Sequence, residues 1–146
     1  MTAKATPIDR QIKQRIIDAC PKFQGRVYDG DVSDGELVPI SEQGYNRPYV
    51  TLIYGGVFRP GRRMRGISGT RDDVKYHTLM VLVTGPSLDL TNELTDEVRD
   101  ALEGFEPEGG SELYEESTGS ARYPADSTLK PVRYTNQMQF SLLISP

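Results

Sequence analysis

The chain has 146 residues, 17 of them basic and 21 acidic, for a net charge of −4. That length fits one domain over 1–146, burying roughly two thirds of its unfolded surface without staples, and the acidic balance argues against a protein that wraps nucleic acid non-specifically. A single cysteine excludes an internal disulfide, and no apolar run approaches the roughly 20 residues that span a bilayer.

Met1-Thr-Ala-Lys-Ala-Thr6 lacks the apolar core of a secretory signal, so the expectation is a soluble protein made in a reducing cytoplasm, with no membrane partner. Thr6 is then expected to cap a helix whose first turn holds Pro7 and Asp9 and whose apolar stripe is Ile8, Ile12, Ile16 and Ala19. Pro21 stops it. Gly25 to Asp29 reads as a short strand, Gly30 to Gly35 as turn formers, and 36–48 as a long loop. Tyr49 to Tyr54 is a strand left by Gly55-Gly56, and Arg59 to Gly69 is a basic loop or irregular hairpin.

From Asp73 to Thr84 apolar residues fall on both parities, Tyr76, Met80 and Leu82 on one, Leu79, Val81 and Val83 on the other. That predicts a strand buried on both faces late in its course. After a Gly85-Pro86-Ser87 turn the period changes to helical, with Leu90, Leu94, Val98, Ala101, Leu102 and Phe105 on one side. Asp89, Glu93, Asp96, Glu97, Asp100 and Glu103 gather opposite them. Ser111 to Ser117 reads as an exposed strand carrying Glu112, Glu115 and Glu116, and Tyr123 to Lys130 as a loop. Val132 to Ile144 alternates as a long strand with one wet face. The sum is an α+β fold: a mixed or antiparallel sheet of about five strands with two amphipathic helices packed on one face.

The charges are separated along the chain. Arg59, Arg62, Arg63, Arg65, Arg71 and Lys75 meet only Asp72 and Asp73, whereas from Pro86 to Ser117 the acids face Arg99 alone. The acidic helix face reads either as a solvated surface or as a face kept for a partner of opposite sign, or for repelling nucleic acid.

Candidate chemistry is sparse. His77, the only histidine, lies within a strand pattern and reads as a structural imidazole rather than a general base. Cys20 lies near the apolar face of the first helix and lacks a nucleophile signature. Asp29-Gly-Asp-Val-Ser-Asp-Gly-Glu36 fails the calcium-loop pattern, with Asp34 at the turn-glycine position and Ile40 at the bidentate-glutamate position. Gly66-Ile-Ser-Gly69 is not a phosphate loop. No catalytic residue, metal ligand or cofactor is expected.

In order, the opening helix is followed by Gly25-Arg-Val-Tyr-Asp-Gly-Asp-Val32, Arg47-Pro-Tyr-Val-Thr-Leu52 and an Arg-rich stretch leading to Gly66. Then come Met80-Val-Leu-Val-Thr-Gly85, the helix Leu90 to Gly104, and Pro131-Val-Arg-Tyr-Thr135. This order resembles the tail terminator, or tail-completion, proteins of long-tailed bacteriophages over nearly the whole chain. It departs from them in a longer 35–48 loop and in Ser33, where a proline is common.

The resemblance implies a structural virion protein, assembled in the host cytoplasm, that forms a homo-hexameric ring on the head-proximal end of the tail tube. Such a ring ends tube polymerisation and gives the head a docking surface, without catalysis. Its partners would be itself, the tail tube protein and head-tail connector proteins, with DNA only in passage through the lumen. On this reading Arg59, Arg62, Arg63, Arg65 and Arg71 contact Glu112, Glu115, Glu116 or the acidic helix of a neighbour, or the acids line the lumen. A head-to-tail connector or neck protein is the alternative, and a small cysteine-dependent hydrolase a more distant one.

Overall fold

The computed structural model describes residues 5–30, 44–58, 75–116, 119–126 and 132–144. Helix α1 spans Ala5–Ala19 and presents Ile8, Ile12 and Ile16, one helical turn apart, to the interior with at most 1% exposure. It begins at Ala5, so Thr6 lies inside the first turn and is not its cap. Cys20 and a 3-10 turn at Pro21–Phe23 close the helix, as the proline requires.

Strands follow at Val27–Asp29 (β1), Tyr49–Phe58 (β2) and Lys75–Gly85 (β3). Helix α2, Leu88–Leu102, is capped by Ser87, whose side chain accepts from the Leu90 N–H at 3.3 Å. Gly104 then adopts φ +79°, the left-handed conformation that ends a helix with no penalty for a missing Cβ. Three more strands, Tyr114–Glu115 (β4), Ala121–Asp126 (β5) and Arg133–Ile144 (β6), complete the described elements.

The six-stranded sheet runs β1-β2-β3-β6, with β4 and β5 both on the outer edge of β6. Only β1 with β2 is parallel; the other pairs are antiparallel. Both helices pack on one face, where Val50, Leu52, Leu79, Val81, Val83, Met138, Phe140 and Leu142 form one buried cluster with the helix stripes. The α+β expectation holds, with six strands in place of about five.

Four further local expectations fail for physical reasons. Gly55-Gly56 does not end β2; the strand continues to Phe58 through a register shift between Tyr54 and Val57. Such an irregularity suits residues without Cβ. The proposed 111–117 strand shrinks to two residues, because Gly104, Ser111 and Leu113 spend their backbone groups on a folded-back turn with Phe105 and Leu143. Tyr123 to Asp126 is strand rather than loop, Tyr123 pairing opposite Thr135 despite Pro124, on an edge where a missing donor costs little. Finally, β3 is buried on alternate residues until Val83, and Met80 and Leu82 are only half-buried.

Gly55 sits against Thr78 so closely that a Cβ would collide with the Thr78 side chain and come within 3.2 Å of its carbonyl oxygen. Gly55→Ala is therefore expected to lower stability by about 1–3 kcal/mol. An unchanged thermal midpoint would contradict that packing.

Candidate functional site

The acidic side of α2 is accessible but not unpartnered. Lys22, just past α1, reaches Glu93 and Glu97, both at 2.9 Å. These hydrogen bonds, Glu97 first, push its ammonium pKa up to about 12. Arg99 holds Asp96 at 2.8 Å and Glu115 at 2.9 Å, and Glu103 accepts from the Glu115 N–H at 3.1 Å. Asp89 and Asp100 are exposed. Glu115 is thereby committed to its own chain, while Glu112 is exposed and Glu116 half-buried.

Arg59, Arg62, Arg63, Arg65 and Arg71 lie outside the described residues, as do 31–43 with most of the calcium-like segment. Asp29, at the start of that segment, is engaged by Lys13 at 3.3 Å and by the Tyr54 hydroxyl at 3.2 Å.

Cys20 is fully buried, and burial followed by the nearby Glu97 carboxylate pushes its thiol up to about 11. At neutral pH that leaves about a hundredfold less thiolate than an ordinary cysteine, the opposite of what a nucleophile needs. Labelling of the native thiol at pH 8 should accordingly run at least about a hundredfold slower than in denaturant. Equal rates would revive the cysteine chemistry. Because the thiol ionises more readily once unfolded, stability falls as pH rises from about 9 to about 11, by on the order of 1–2 kcal/mol.

His77 is buried at 1% exposure and lies 2.6 Å from Asp9 of α1 through Nε2. The Tyr54 ring stacks beside it at 6.2 Å, and the Tyr54 hydroxyl bonds the Asp9 carbonyl at 3.4 Å. Burial, reinforced by Asp29 and Asp9, raises the Tyr54 phenol pKa. This His-Asp pair joins α1 to the centre of the sheet. Asp9 and Tyr54 gave no advance signal, since only the fold brings residues 9, 54 and 77 together.

Between α2 and β5 lies a cleft of about 160 Å³ with Asn92, Thr95, Arg99, Arg122 and Asn136 on its walls. Its floor is internally satisfied: Asn136 donates to Asn92 Oδ1 at 2.9 Å and to Thr95 Oγ1 at 3.0 Å, and Thr95 donates to the Thr91 carbonyl at 2.6 Å. The arrangement locks α2 to β6.

The larger feature is the sheet face away from both helices. Register places Tyr28, Thr51, Leu82, Gln137 and Ala121 in one row across it, and Ile53, Met80 and Gln139 in the next. In β2, β3 and β6 the only charged residue at these positions is Arg133, although charged residues are 26% of the chain. Alternation of uncharged Thr, Gln, Tyr and Met along three strands was the sequence signal for this face. The face is not fully open: Tyr49, Thr51, Thr84 and Ser141 on it are at most 5% exposed within the chain.

No family model matches the chain, and no curated protein matches it either.

Proposed function

We propose that the chain is a structural subunit of a phage tail that forms a ring on the head-proximal end of the tail tube, stops its growth and offers the head a docking surface. The observation that carries the reading is the order of elements: an opening helix, a short strand, a long strand, an Arg-rich segment, a second long strand, a capped acidic helix and a long last strand. That order supports the resemblance to tail terminator proteins. The chemistry of Cys20 and His77 is consistent with this and adverse to a hydrolase, because the thiol is held protonated and both side chains are buried, Cys20 at 0% and His77 at 1% exposure.

A ring joins one patch to a different patch on the next copy. The basic segment around Arg59, Arg62, Arg63, Arg65 and Arg71 and the exposed acids Asp89, Asp100 and Glu112 are the complementary patches. Opposite charges of this kind steer association more than they strengthen it. Arg62→Glu with Arg63→Glu is expected to slow or abolish ring formation, and rising salt is expected to weaken the wild-type ring. Light scattering that is identical for both proteins across a salt series would exclude this contact.

The function itself is tested by adding purified protein to its polymerising tube protein and measuring tube length by electron microscopy. Shorter tubes bearing a terminal ring are expected. Unaltered length distributions at saturating protein would sink the tail reading. Mapping Asp89, Glu93 and Asp96 to the outer wall of the ring would separately remove the DNA-repelling role of α2.

A further inference from the structure

We propose that Arg26 and Arg47, at the corner of the sheet where β1 and β2 begin, form a binding site for a phosphate group, carried by the free ion or by a phosphomonoester. Strands β1 and β2 run parallel, so the residues just ahead of each arrive at the same end of the sheet edge. The Arg26 carbonyl accepts the Val50 N–H at 3.0 Å, and its side chain lies against the entry of β2. There Nε donates to the Pro48 carbonyl at 2.8 Å, Nη1 to Gln24 Oε1 at 3.1 Å and Nη2 to the Lys22 carbonyl at 3.5 Å. These contacts fix the plane of the guanidinium and leave two of its five N–H groups. Gln24 reaches it from a left-handed backbone, φ +50°, the one non-glycine positive φ among the described residues, a conformation that persists only where its surroundings hold it.

None of those contacts supplies a counter-charge, because all three acceptors are neutral. The charge acting on Arg26 is instead a second cation. Burial, and then the Arg47 guanidinium, lower the Arg26 pKa, with only the Tyr28 phenol acting the other way. Neither arginine has an ion pair among the described residues, whereas Lys13, Lys22 and Arg99 each do. Two like charges held together, with Arg26 half-buried, destabilise each other until an anion joins them.

The donors select which anion. Guanidinium forks match the paired oxygens of phosphate and carboxylate alike. A carboxylate brings one charge and leaves one arginine uncompensated. A phosphate monoester brings nearly two, and its three free oxygens can serve both forks and the phenol of Tyr28, which is half-buried and packed edge-on to Tyr49 at 6.0 Å. This site does not depend on the tail reading.

The test is calorimetric titration of the full chain with inorganic phosphate at about pH 7.5, where phosphate carries nearly two charges, and at constant ionic strength. One phosphate per chain is expected, with affinity falling as chloride rises. Arg47→Gln, at an exposed position, should weaken binding by about tenfold or more. Arg26→Lys, which keeps the charge and loses the fork, should weaken it as well. Arg122→Gln removes another exposed arginine, on β5, and should change the affinity less than about twofold. Circular dichroism melts confirm that each variant is folded. A 5′-phosphorylated trinucleotide separates the sources: competition as strong as that of phosphate assigns the site to a nucleic-acid end, and competition about tenfold weaker assigns it to the free ion. Two results would overturn the proposal. One is a wild type that gives no saturable binding, which would leave the arginine pair to a carboxylate of its own chain. The other is saturable binding that Arg47→Gln does not alter, the mark of an adventitious ion only.

Discussion

Phe140→Ala is expected to destabilise the fold by about 3–5 kcal/mol, lowering the thermal midpoint by about 10 °C. Phe140 has no solvent exposure and stands opposite Leu79 in the two central strands, on the side that receives Leu94 and Val98 of α2. Removing its ring deletes the transfer energy of a large side chain and leaves a cavity that a sheet fixed on both edges cannot collapse into. The neighbouring position gives the contrast. Gln139 points to the other face and is half-buried, so Gln139→Ala should cost within about 0.5 kcal/mol. Equal losses at 139 and 140, measured by denaturant titration, would mean that both faces of β6 bear on a packed core.

The contrast also shows what the residue pattern revealed and what it concealed. Periodicity identified α1, α2 and β6 because each has one apolar stripe, and a stripe is a local property. The same reasoning misjudged β3. Met80 and Leu82 are as apolar as their neighbours, yet burial on the second face depends on whether another layer covers it, and no described helix does. β5 was missed because Pro124 and exposed polar residues mimic a loop. An edge strand held only by β6 needs no apolar alternation of its own.

Charge was legible in amount and misleading in meaning. The acids of α2 fall on one side as the spacing requires, but two cations of the same chain, Lys22 and Arg99, pair with Glu93, Glu97, Asp96 and Glu115. Lys22 lies 71 positions from Glu93, so no window of sequence could reveal the pairing. The exposed acids outside these ion pairs, among them Asp89, Asp100, Glu106, Glu108 and Glu112, are the ones available to a neighbour.

Asp9→Ala is expected to cost about 2–3 kcal/mol, an effect out of proportion to a helix residue that is 19% exposed at its side chain. The carboxylate is the partner at 2.6 Å of an imidazole with 1% exposure; once it is gone, that nitrogen is left buried without the bond. Asp9→Asn, which keeps an oxygen and an amide in place, should lose less. The decisive measurement is a double-mutant cycle with His77→Leu. Removing both polar groups leaves nothing unsatisfied at the pair, so the double variant should be more stable than the sum of the single losses implies, with a coupling of about 1.5–3 kcal/mol. Hydrogen exchange adds a spatial readout. Gln11 still grips Glu108 through two bonds, at 3.2 and 2.7 Å, and Arg15 still donates to the Ala101 carbonyl at 3.0 Å. Asp9→Ala should therefore speed exchange in the first turns of α1 while leaving its second half protected. Additive losses with uniform exchange along α1 would show that Asp9 and His77 are neighbours without a shared energy, and that α1 is held to the sheet by its isoleucines alone.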